Sequence, residues 1–453
     1  IFTCMANVIR LRKGLNINLK GRASEQVSKA VVSGEYALVP DGFVGVTPKV
    51  VVHEGDYVKA GDALFVNKHY PDVKFSSPVS GQVVAVERGE RRKVLCVKVK
   101  AEDEQHYQSF DTLDVKAAEG SQVIDLLLKA GLFGYINQLP YAVSTNPTVM
   151  PKAIFVSALR DMPLAADFEV ELKGNEEAFQ TGLTALSRIA KTYLGIGAKQ
   201  QAAALVNAKN VEVNVFDGPC PAGNVGVQVN HINPVNKGEV VWTVNPSAVI
   251  FFGRLFMTGK VDLTRTIAVA GSMVKEPSYV STLVGTPLSV ILDSKLTTNE
   301  HVRIINGNPL TGVKSSLNDF LSPCASEVTV IPEGDNVNEI LGWIMPRFGQ
   351  FSTSKSYFSW LCKGMEYDLD ARIKGGERHM IMSGEYDKVL PMDIYAEYLI
   401  KAIITGDIDR QEQLGIYEIS PEDFAVAEFV DSSKLELQRI VRDGLNVLRK
   451  ENA

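Results

Sequence analysis

Cysteine and histidine are the residues of this chain best suited to metal or nucleophilic chemistry, and neither type is clustered. The five cysteines are widely scattered: Cys4, Cys96, Cys220, Cys324 and Cys362. No two lie within four residues of each other, so the sequence lacks the CxxC spacing of common zinc and iron–sulfur sites. An odd, scattered set is typical of reduced cytoplasmic thiols, most of which act as small buried hydrophobic residues.

The histidines and serines form no recognisable catalytic motif. The six histidines are His53, His69, His106, His231, His301 and His379. They contain no HExxH or paired-histidine pattern, and GxSxG is absent from the sequence. A Ser-His-Asp triad stays open, because its members converge only in the fold. The sequence therefore assigns this chain no catalytic residue and no metal ligand.

Short strands and turns are predicted throughout residues 50–99. The segment VVHEGDYVKAGDALFV places two turns, Gly55-Asp56 and Gly61-Asp62, between alternating apolar residues. Valine-rich strands follow a turn that is bracketed by Pro78 and Gly81. This pattern resembles the biotinyl/lipoyl family, whose fold is a barrel-sandwich of two small sheets.

That resemblance raises the question of a carrier lysine. Members of the family that carry a prosthetic group hold it on a lysine flanked by Asp or Met at a hairpin tip. The corresponding tip here reads Asn67-Lys68-His69-Tyr70-Pro71-Asp72. Lys68 lacks the expected neighbours and lies too far from Pro78, so we expect it to be unmodified and the module to be structural.

Helices and strands alternate in the next part of the chain. The apolar spacing predicts helices over 121–131 and 176–190, and strands over 152–157 and 211–216. The loop DGPCPAGNVG follows the second strand. Such alternation indicates an open, Rossmann-like sheet.

The last two parts of the chain are predicted to differ in class. Strand-like text from Arg265, a short helix starting at Pro287 and a strand over 326–332 indicate a β-grasp unit. The remainder is predicted to be mostly helical, with Ser433 and Glu436 forming a capping box for the final helix. The predicted fold is a multidomain α/β protein with β modules: an N-terminal segment (5–35), a biotinyl/lipoyl-like barrel-sandwich (36–105), a Rossmann-like α/β domain (106–260), a β-grasp, soluble-ligand-binding-like domain (261–335) and a helical C-terminal domain (336–453).

The opening segment, Val8 to Arg22, is rich in basic residues. Its alternating pattern predicts short strands that are broken by Gly14 and Gly21. Two interpretations of its cations stay open, a docking stripe or a solvated strand face. The cations are Arg10, Arg12, Lys13, Lys20 and Arg22.

Bulk composition excludes several classes of protein. The chain has 453 residues, a net charge of −6 and a pI of about 5.7, whereas a nucleic-acid-binding protein needs a concentrated basic face. No stretch reaches the roughly 18 apolar residues of a membrane span. The most apolar window, 248–257, is broken by Gly253 and Arg254. We therefore expect no nucleic-acid partner and no direct insertion into a membrane.

The order of the predicted parts, together with particular phrases, resembles one family closely. Barrel-sandwich, Rossmann-like, β-grasp and helical parts occur in this order in the flavin-binding component of respiratory complex I, in the RnfC-type component of Rnf oxidoreductases and in the NqrA-type component of Na+-translocating NADH:quinone oxidoreductases. The last family is favoured by RLRKGLNINLKG, VFDGPCPAGNVG, INPVN at Ile232 to Asn236, FFGRLFMTG at Phe251 to Gly259, GWIMPRFGQFSTSKSYF at Gly342 to Phe358 and GEYDKVLPMDI at Gly384 to Ile394. The resemblance covers essentially all of Met5 to Ala453.

The chain departs from these relatives at the residues that hold their cofactors. A flavin phosphate requires a glycine-rich turn, where backbone N–H groups approach it closely. The matching stretch here is GLFGYINQLPY, Gly131 to Tyr141, whose bulky side chains would block that approach. The relatives also use a CxxCxxC run and an acidic residue that contacts NADH, but this chain offers only Cys324 and Cys362 in its C-terminal part, and Val225 at the acidic position. We therefore expect no redox cofactor in this chain.

The resemblance also implies partners and a location. It implies a six-subunit complex that oxidises NADH, reduces quinone and exports Na+, using NADH, flavins, iron–sulfur and quinone in or near the other subunits. This chain would be a peripheral subunit on the cytoplasmic side of the bacterial inner membrane, next to an integral membrane subunit, and inactive in isolation. The alternative is a stand-alone, flavin-dependent NADH dehydrogenase subunit.

The altered glycine stretch is also the candidate place for quinone. A former cofactor crevice at the carboxyl edge of an open sheet remains concave. Aromatic and apolar side chains there suit a quinone ring better than a phosphate. The candidate contacts are Phe133, Tyr135, Leu139 and Tyr141. The competing interpretation is that these residues plug the old site and pack as core.

Overall fold

A computed structural model describes residues 7–28, 31–298, 301–335, 348–353, 357–362 and 364–452. Cys4 and much of the stretch 342–358 lie outside these ranges. The strands are β1 (Asn7–Arg10), β2 (Ser24–Ser28), β3 (Glu35–Leu38), β4 (Pro48–Val50), β5 (Tyr57–Val58), β6 (Ala63–Asn67), β7 (Lys74–Ser76), β8 (Gly81–Arg88), β9 (Val94–Ala101), β10 (Ile136–Leu139), β11 (Val143–Ser144), β12 (Ala153–Ser157), β13 (Thr192–Gly197), β14 (Glu212–Asp217), β15 (Val241–Val244), β16 (Thr264–Ala270), β17 (Ser278–Leu283), β18 (Val302–Asn306), β19 (Val313–Ser315) and β20 (Glu327–Pro332).

The helices lie mainly between the strands of the central part and in the C-terminal part. They are α1 (Gly120–Lys129), α2 (Phe168–Leu172), α3 (Glu176–Ile189), α4 (Ala203–Val206), α5 (Val225–Ile232), α6 (Pro246–Thr258), α7 (Leu288–Ile291), α8 (Tyr386–Val389), α9 (Ala396–Thr405), α10 (Ile408–Gln413), α11 (Ala425–Val430) and α12 (Leu437–Glu451). Short 3-10 turns cover Pro40–Gly42, Glu90–Arg92, Phe133–Tyr135, Phe358–Leu361, Ile416–Glu418 and Pro421–Phe424. Among the described residues, none of the helices is long and apolar enough to cross a bilayer.

Two small sheets form the barrel-sandwich that the turn pattern predicted. One has the order β3-β9-β8-β5 and the other β4-β6-β7. Alternate side chains of each strand point inward, where the rings of Phe65 and Phe75 stack at 4.7 Å between centroids. Lys68 lies exposed at the turn between β6 and β7, as expected, with its backbone N–H donating to the Thr47 carbonyl at 2.8 Å.

A seven-stranded sheet occupies the centre of the chain, in the order β1-β14-β13-β12-β15-β10-β11. The five strands from β1 to β15 are parallel, whereas β10 and β11 run antiparallel. The central strand β12 is apolar at four of its five positions because both faces of a parallel sheet are covered. The apolar window 248–257 forms most of α6, which is buried against α3.

A six-stranded mixed sheet follows, in the order β19-β18-β20-β16-β17-β2. Pro287 is the N-cap of the short helix α7, close to the predicted start. Helices from Tyr386 onward then build the C-terminal part around a separate apolar core that includes Leu399, Phe424 and Leu445. The described residues 364–385 contain no helix, so the prediction of a mostly helical tail holds only beyond them.

Two local predictions were wrong. The final helix begins at Leu437 with Glu436 as its N-cap and no side-chain cap. Ser433 does not cap it, because its hydroxyl accepts a hydrogen bond from Ile381 N at 3.0 Å. The N-terminal segment is likewise not a set of strands from 8 to 22: β1 joins the central sheet, β2 joins the six-stranded sheet, and the residues between them pair once, at Leu19 with Tyr367.

Candidate functional site

The structure divides the four candidate quinone contacts between two edges of the central sheet. Strand β10 runs antiparallel to β15, pairing Ile136 with Val244 and Leu139 with Val241. Its first end therefore lies at the carboxyl edge of the parallel strands, beside Phe133 and Tyr135. Its second end lies at the opposite edge, with Leu139 and Tyr141. The four residues do not converge on one crevice.

Phe133 and Tyr135 fill the space between the barrel-sandwich and the central sheet. The ring of Phe133 is fully buried and meets Trp242 edge-on at 5.6 Å. Tyr135 is 6% exposed, with its ring 5.1 Å from Phe43 and 5.8 Å from Phe251. Burial raises the pKa of Tyr135, and its hydroxyl has no hydrogen-bond partner among the described residues. A buried donor without a partner is costly.

Leu139 and Tyr141 have different surroundings. Leu139 is buried in a small cluster that includes Phe155 and Val241. Tyr141 is half-buried with a φ of +83°, an unfavourable value for a side chain of this size. Arg442 of α12 holds this turn by donating from Nη1 to the Tyr141 carbonyl at 2.8 Å.

Tyr141 is the candidate that comes nearest to an open cavity. Its hydroxyl lies 3.3 Å from Asn452 Nδ2, which is 3.2 Å from the hydroxyl of Tyr417. Tyr417 lines a cavity of about 430 Å³ together with Lys237 and Glu412, whose side chains are paired at 2.7 Å. The cavity lies between the loop after α5 and the segment that contains α10, and its lining is mostly polar.

The crevice expected in this class of sheet lies between β12 and β15, where the strand order changes direction. It is occupied by side chains of the protein itself. Glu171 Oε2 accepts from Arg160 Nη1 at 3.0 Å and from Ser247 Oγ at 2.8 Å. Ser247 is in the first turn of α6, so this carboxylate lies at the positive end of the helix dipole.

The six-stranded sheet completes this buried network. Arg265 of β16 donates to Ser247 Oγ at 3.1 Å and to the Pro323 carbonyl at 2.9 Å. Its Nε lies 4.0 Å from Glu171. Glu327 of β20 accepts from Ala166 N at 3.0 Å, and burial raises its pKa. The crevice is thus closed by contacts between two sheets.

A second helix N-terminus, that of α5, also faces carboxylates. Asp161 Oδ2 accepts from Gly223 N at 2.9 Å, in the loop just before the helix. Asp423 Oδ1 accepts from the N-cap residue Asn224 at 3.3 Å, and a Cβ added at Gly226 would collide with the Asp423 carboxylate. Helix N-termini of this kind bind phosphates in nucleotide-binding proteins. Here, side-chain carboxylates already hold that position.

The titration of Asp161 gives a measurable signature of this arrangement. Burial raises the pKa of Asp161 to about 6, although backbone N–H groups act to lower it, and its Oδ1 has no hydrogen-bond partner among the described residues. The folded state therefore binds the proton more tightly than the unfolded state. The contribution of Asp161 to stability is largest at acid pH and falls as the pH rises through about 6.

We expect Asp161→Asn to remove this loss. The gain in unfolding free energy of the variant over wild type should grow by about 2 kcal/mol between pH 4 and pH 8. Urea denaturation at several pH values measures it, with Asp125→Asn on an exposed position of α1 as the control, expected to change stability by less than about 0.5 kcal/mol. An Asp161→Asn difference that does not vary with pH would show that the carboxylate is well solvated.

The N-terminal segment covers the same edge of the sheet. Leu11 N donates to the Asp217 carbonyl at 2.8 Å and Leu15 N to the Cys220 carbonyl at 2.7 Å. Gly14 has a φ of +139°, and a Cβ there would meet the backbone of Cys220. The loop DGPCPAGNVG is therefore shielded by the chain's own N-terminal residues. The alternating pattern of the segment carried no signal of this contact.

Comparison with known proteins relates the chain to a family along nearly its whole length. Three family models match: the NqrA N-terminal barrel-sandwich hybrid domain at residues 9–102, the NqrA second alpha/beta domain at 118–261 and the NQRA C-terminal domain at 266–316. The NqrA component of the Na(+)-translocating NADH-quinone reductase of Neisseria meningitidis serogroup A is 33% identical over 98% of this chain and 100% of its own length. The chain belongs to the NqrA family of Na(+)-translocating NADH-quinone reductase subunits.

Further members of the NqrA family match to the same extent. The relative from Yersinia pestis bv. Antiqua is 33% identical and that from Vibrio vulnificus is 32% identical, each over 98% of this chain and all of the relative. A chain in the crystal structure of an NAD+-reducing [NiFe]-hydrogenase aligns with 48% of this chain, and 50% of it is covered, at 14% identity and a TM-score of 0.35. The NqrA relatives, not that slight likeness, identify the family.

The cysteines of this NqrA-family chain are dispersed in space as well as in sequence. Cys96 and Cys220 are buried, whereas Cys324 and Cys362 are exposed. Within the described ranges, no three His, Cys, Asp or Glu side chains come together as a group that could hold a metal ion. Val225, at the position where the relatives' acidic residue was expected, is the first residue of α5.

Proposed function

We propose that this chain is a peripheral subunit of a Na+-pumping NADH:quinone reductase, and that it serves assembly, the quinone site or both without a redox cofactor of its own. The names of the NqrA relatives, matched over their full length, support the role in the complex. The complex would couple NADH oxidation and quinone reduction to Na+ export. The isolated chain would have no NADH:quinone reductase activity.

The observation that carries the cofactor-free role is the placement of three carboxylates. Glu171 lies at the N-terminus of α6, and Asp161 and Asp423 lie at that of α5. An incoming phosphate would have to displace these groups and would be repelled by them. The bulky residues of the former glycine stretch add a steric barrier at the same edge, where Tyr135 is packed between Phe43 and Phe251.

Absorption spectroscopy of the purified chain tests this proposal against the alternative of a flavin-dependent NADH dehydrogenase subunit. We expect absorption from aromatic side chains alone, since flavins and iron–sulfur clusters absorb visible light. The measurement is a spectrum of freshly purified protein, followed by acid release and fluorescence of any flavin. Stoichiometric released flavin would favour the alternative and contradict the cofactor-free role.

The proposal includes partners and a location. Five other subunits would surround the chain, chiefly a neighbouring integral membrane subunit, at the cytoplasmic side of the bacterial inner membrane. NADH, flavins and iron–sulfur would be held in or near those subunits. We also propose the finer domain description: Rossmann-like for 106–260, β-grasp for 261–335, with the barrel-sandwich at 36–105, the N-terminal segment at 5–35 and the helical domain at 336–453.

Quinone contact is proposed for the loop that carries Phe133, Tyr135, Leu139 and Tyr141. The two ends of this loop lie at opposite edges of the sheet, so a quinone head group would meet one pair. Tyr135 is favoured because its buried hydroxyl lacks a partner among the described residues and could donate to a quinone carbonyl. The competing interpretation, a hydrophobic plug, is supported by the burial of Phe133 and Leu139.

Tyr135→Phe distinguishes the two interpretations better than Tyr135→Ala, because it keeps the packed ring. If Tyr135 contacts quinone, the variant in the assembled complex should bind a quinone-site inhibitor about five- to tenfold more weakly, with no loss of stability. Tyr141→Phe, at the opposite edge, is the matched control and should leave the affinity unchanged. Unchanged inhibitor affinity in Tyr135→Phe, with an unfolding temperature equal to or above that of wild type, would favour the plug.

A further inference from the structure

A groove of about 240 Å³ lies between the N-terminal segment and the residues around Trp360, remote from the carboxylates described above. We call it the Trp360 groove. Its lining includes Leu15, Asn18, Phe351, Trp360, Met365 and Tyr367. This region contains most of the basic segment for which the sequence left a docking stripe as one interpretation.

Backbone hydrogen bonds and ring contacts hold the two walls of the groove in place. Tyr367 N donates to the Asn18 carbonyl at 2.8 Å, and Lys20 N donates to the Tyr367 carbonyl at 3.0 Å. The ring of Phe351 lies 5.2 Å from that of Tyr367 and 5.7 Å from that of Phe429 in α11. The groove is therefore a built concavity and not a gap between loose loops.

The groove and the chain beside it carry large apolar side chains on the surface. Trp360 is 49% exposed, Leu361 is 61% exposed, and Phe348, three residues before Phe351, is 65% exposed. Large apolar side chains grouped on a surface mark interaction sites. Tryptophan in particular is enriched among the residues that dominate binding energy at interfaces.

Cations flank the groove on the N-terminal side. Arg12, Lys13, Lys20 and Arg22 are all exposed, and none forms an ion pair with a described residue. The acidic side chains adjacent along the opposite wall are Glu366 and Asp368, so positive charge prevails here in a chain whose net charge is −6. An acidic partner is complementary to this surface.

We propose that the Trp360 groove docks a segment of a membrane-bound partner protein, and that this segment carries an apolar anchor residue flanked by acidic side chains. The proposal rests on the proposed function, since it assumes that such a partner exists. The concave shape fits one or two apolar side chains, and the flanking cations fit the acidic residues on either side of the anchor. A flat anionic bilayer fits less well, because Glu366 and Asp368 would be repelled by its headgroups.

Membrane retention of the chain in cells that make the whole complex tests the proposal. The test variant combines Lys13→Glu, Lys20→Glu and Trp360→Ser, and the matched control is Lys49→Glu with Lys59→Glu on the exposed surface of the barrel-sandwich. Wild type and control should sediment with washed membranes. The test variant should be retained about tenfold less, and raised salt should weaken retention of the wild type. Thermal unfolding of each purified chain verifies that the substitutions leave the fold intact.

Each outcome bears on a separate claim. Wild-type chain that stays soluble although all partner subunits are present contradicts the proposed function itself. Wild-type and test variant retained equally, with both folded, overturns the groove as the docking surface. Isolated wild-type chain should not sediment with vesicles of phosphatidylglycerol and phosphatidylethanolamine. Sedimentation that the test variant abolishes would identify the bilayer as the occupant and overturn the protein partner.

Discussion

Replacing Glu171 by alanine is expected to lower the free energy of unfolding by about 3 to 5 kcal/mol. The carboxylate is 3% exposed and lies beside two guanidinium groups, those of Arg160 and Arg265, which are 11% and 1% exposed. Burial already lowers the pKa of Arg265, and Glu171 acts against that shift. Without the carboxylate, both cations lose their nearest countercharge in a place where water cannot replace it.

The measurement is chemical denaturation of wild type and variants under the same buffer conditions. Glu171→Gln keeps an acceptor for Ser247 and Arg160 and should cost less, about 1 to 3 kcal/mol. Asp41→Ala removes an ion pair with Lys93 in which both side chains are more than half exposed, and should cost less than about 1 kcal/mol. A Glu171→Ala variant as stable as Asp41→Ala would mean that the crevice is hydrated and open, which would remove the main support for the cofactor-free role.

Gly253→Ala is expected to destabilise the central domain although alanine favours helices. Gly253 lies in α6 where that helix crosses α3, and an added Cβ would lie far inside contact distance of the Ala178 carbonyl. Gly182 of α3 approaches the Val249 carbonyl closely from the other side. Helix propensity offers a gain of about 1 kcal/mol, whereas forcing two packed helices apart costs about 3 kcal/mol. The net loss should be about 2 kcal/mol.

Gly376→Ala is the matched control for this crossing. No atom lies within 4 Å of a Cβ at Gly376, so its stability should change by less than about 0.5 kcal/mol. Denaturation midpoints of both variants measure the contrast. A stabilised Gly253→Ala would show that α3 and α6 can separate freely, and that the helix pair does not fix the position of Ser247 in the crevice.

Several elements could be predicted from the sequence because their signal is local. The predicted helix over 176–190 is observed as Glu176–Ile189, and that over 121–131 as Gly120–Lys129. Both have an apolar face at helical spacing, which depends on near neighbours along the chain. The predicted strand over 326–332 is observed as Glu327–Pro332 for the same reason.

The arrangement of the quinone candidates could not be predicted in the same way. The sequence drew attention to the loop Gly131–Tyr141, but periodicity does not reveal the direction of a strand in its sheet. Because β10 runs antiparallel to β15, the loop's two ends lie at opposite edges. One crevice lined by all four residues was therefore an expectation that the local pattern could neither support nor exclude.

By itself, the sequence determined the family, the missing glycine-rich turn and the scattered cysteines, since each of these depends on residue identity and spacing along the chain. The tertiary structure alone decided what fills the crevice. Asp161, Glu171 and Asp423 reach their partners from 62, 76 and 199 residues away. Such contacts follow from the packing of separate sheets and helices against one another, and a long-range packing contact leaves no periodic trace in the residues that make it.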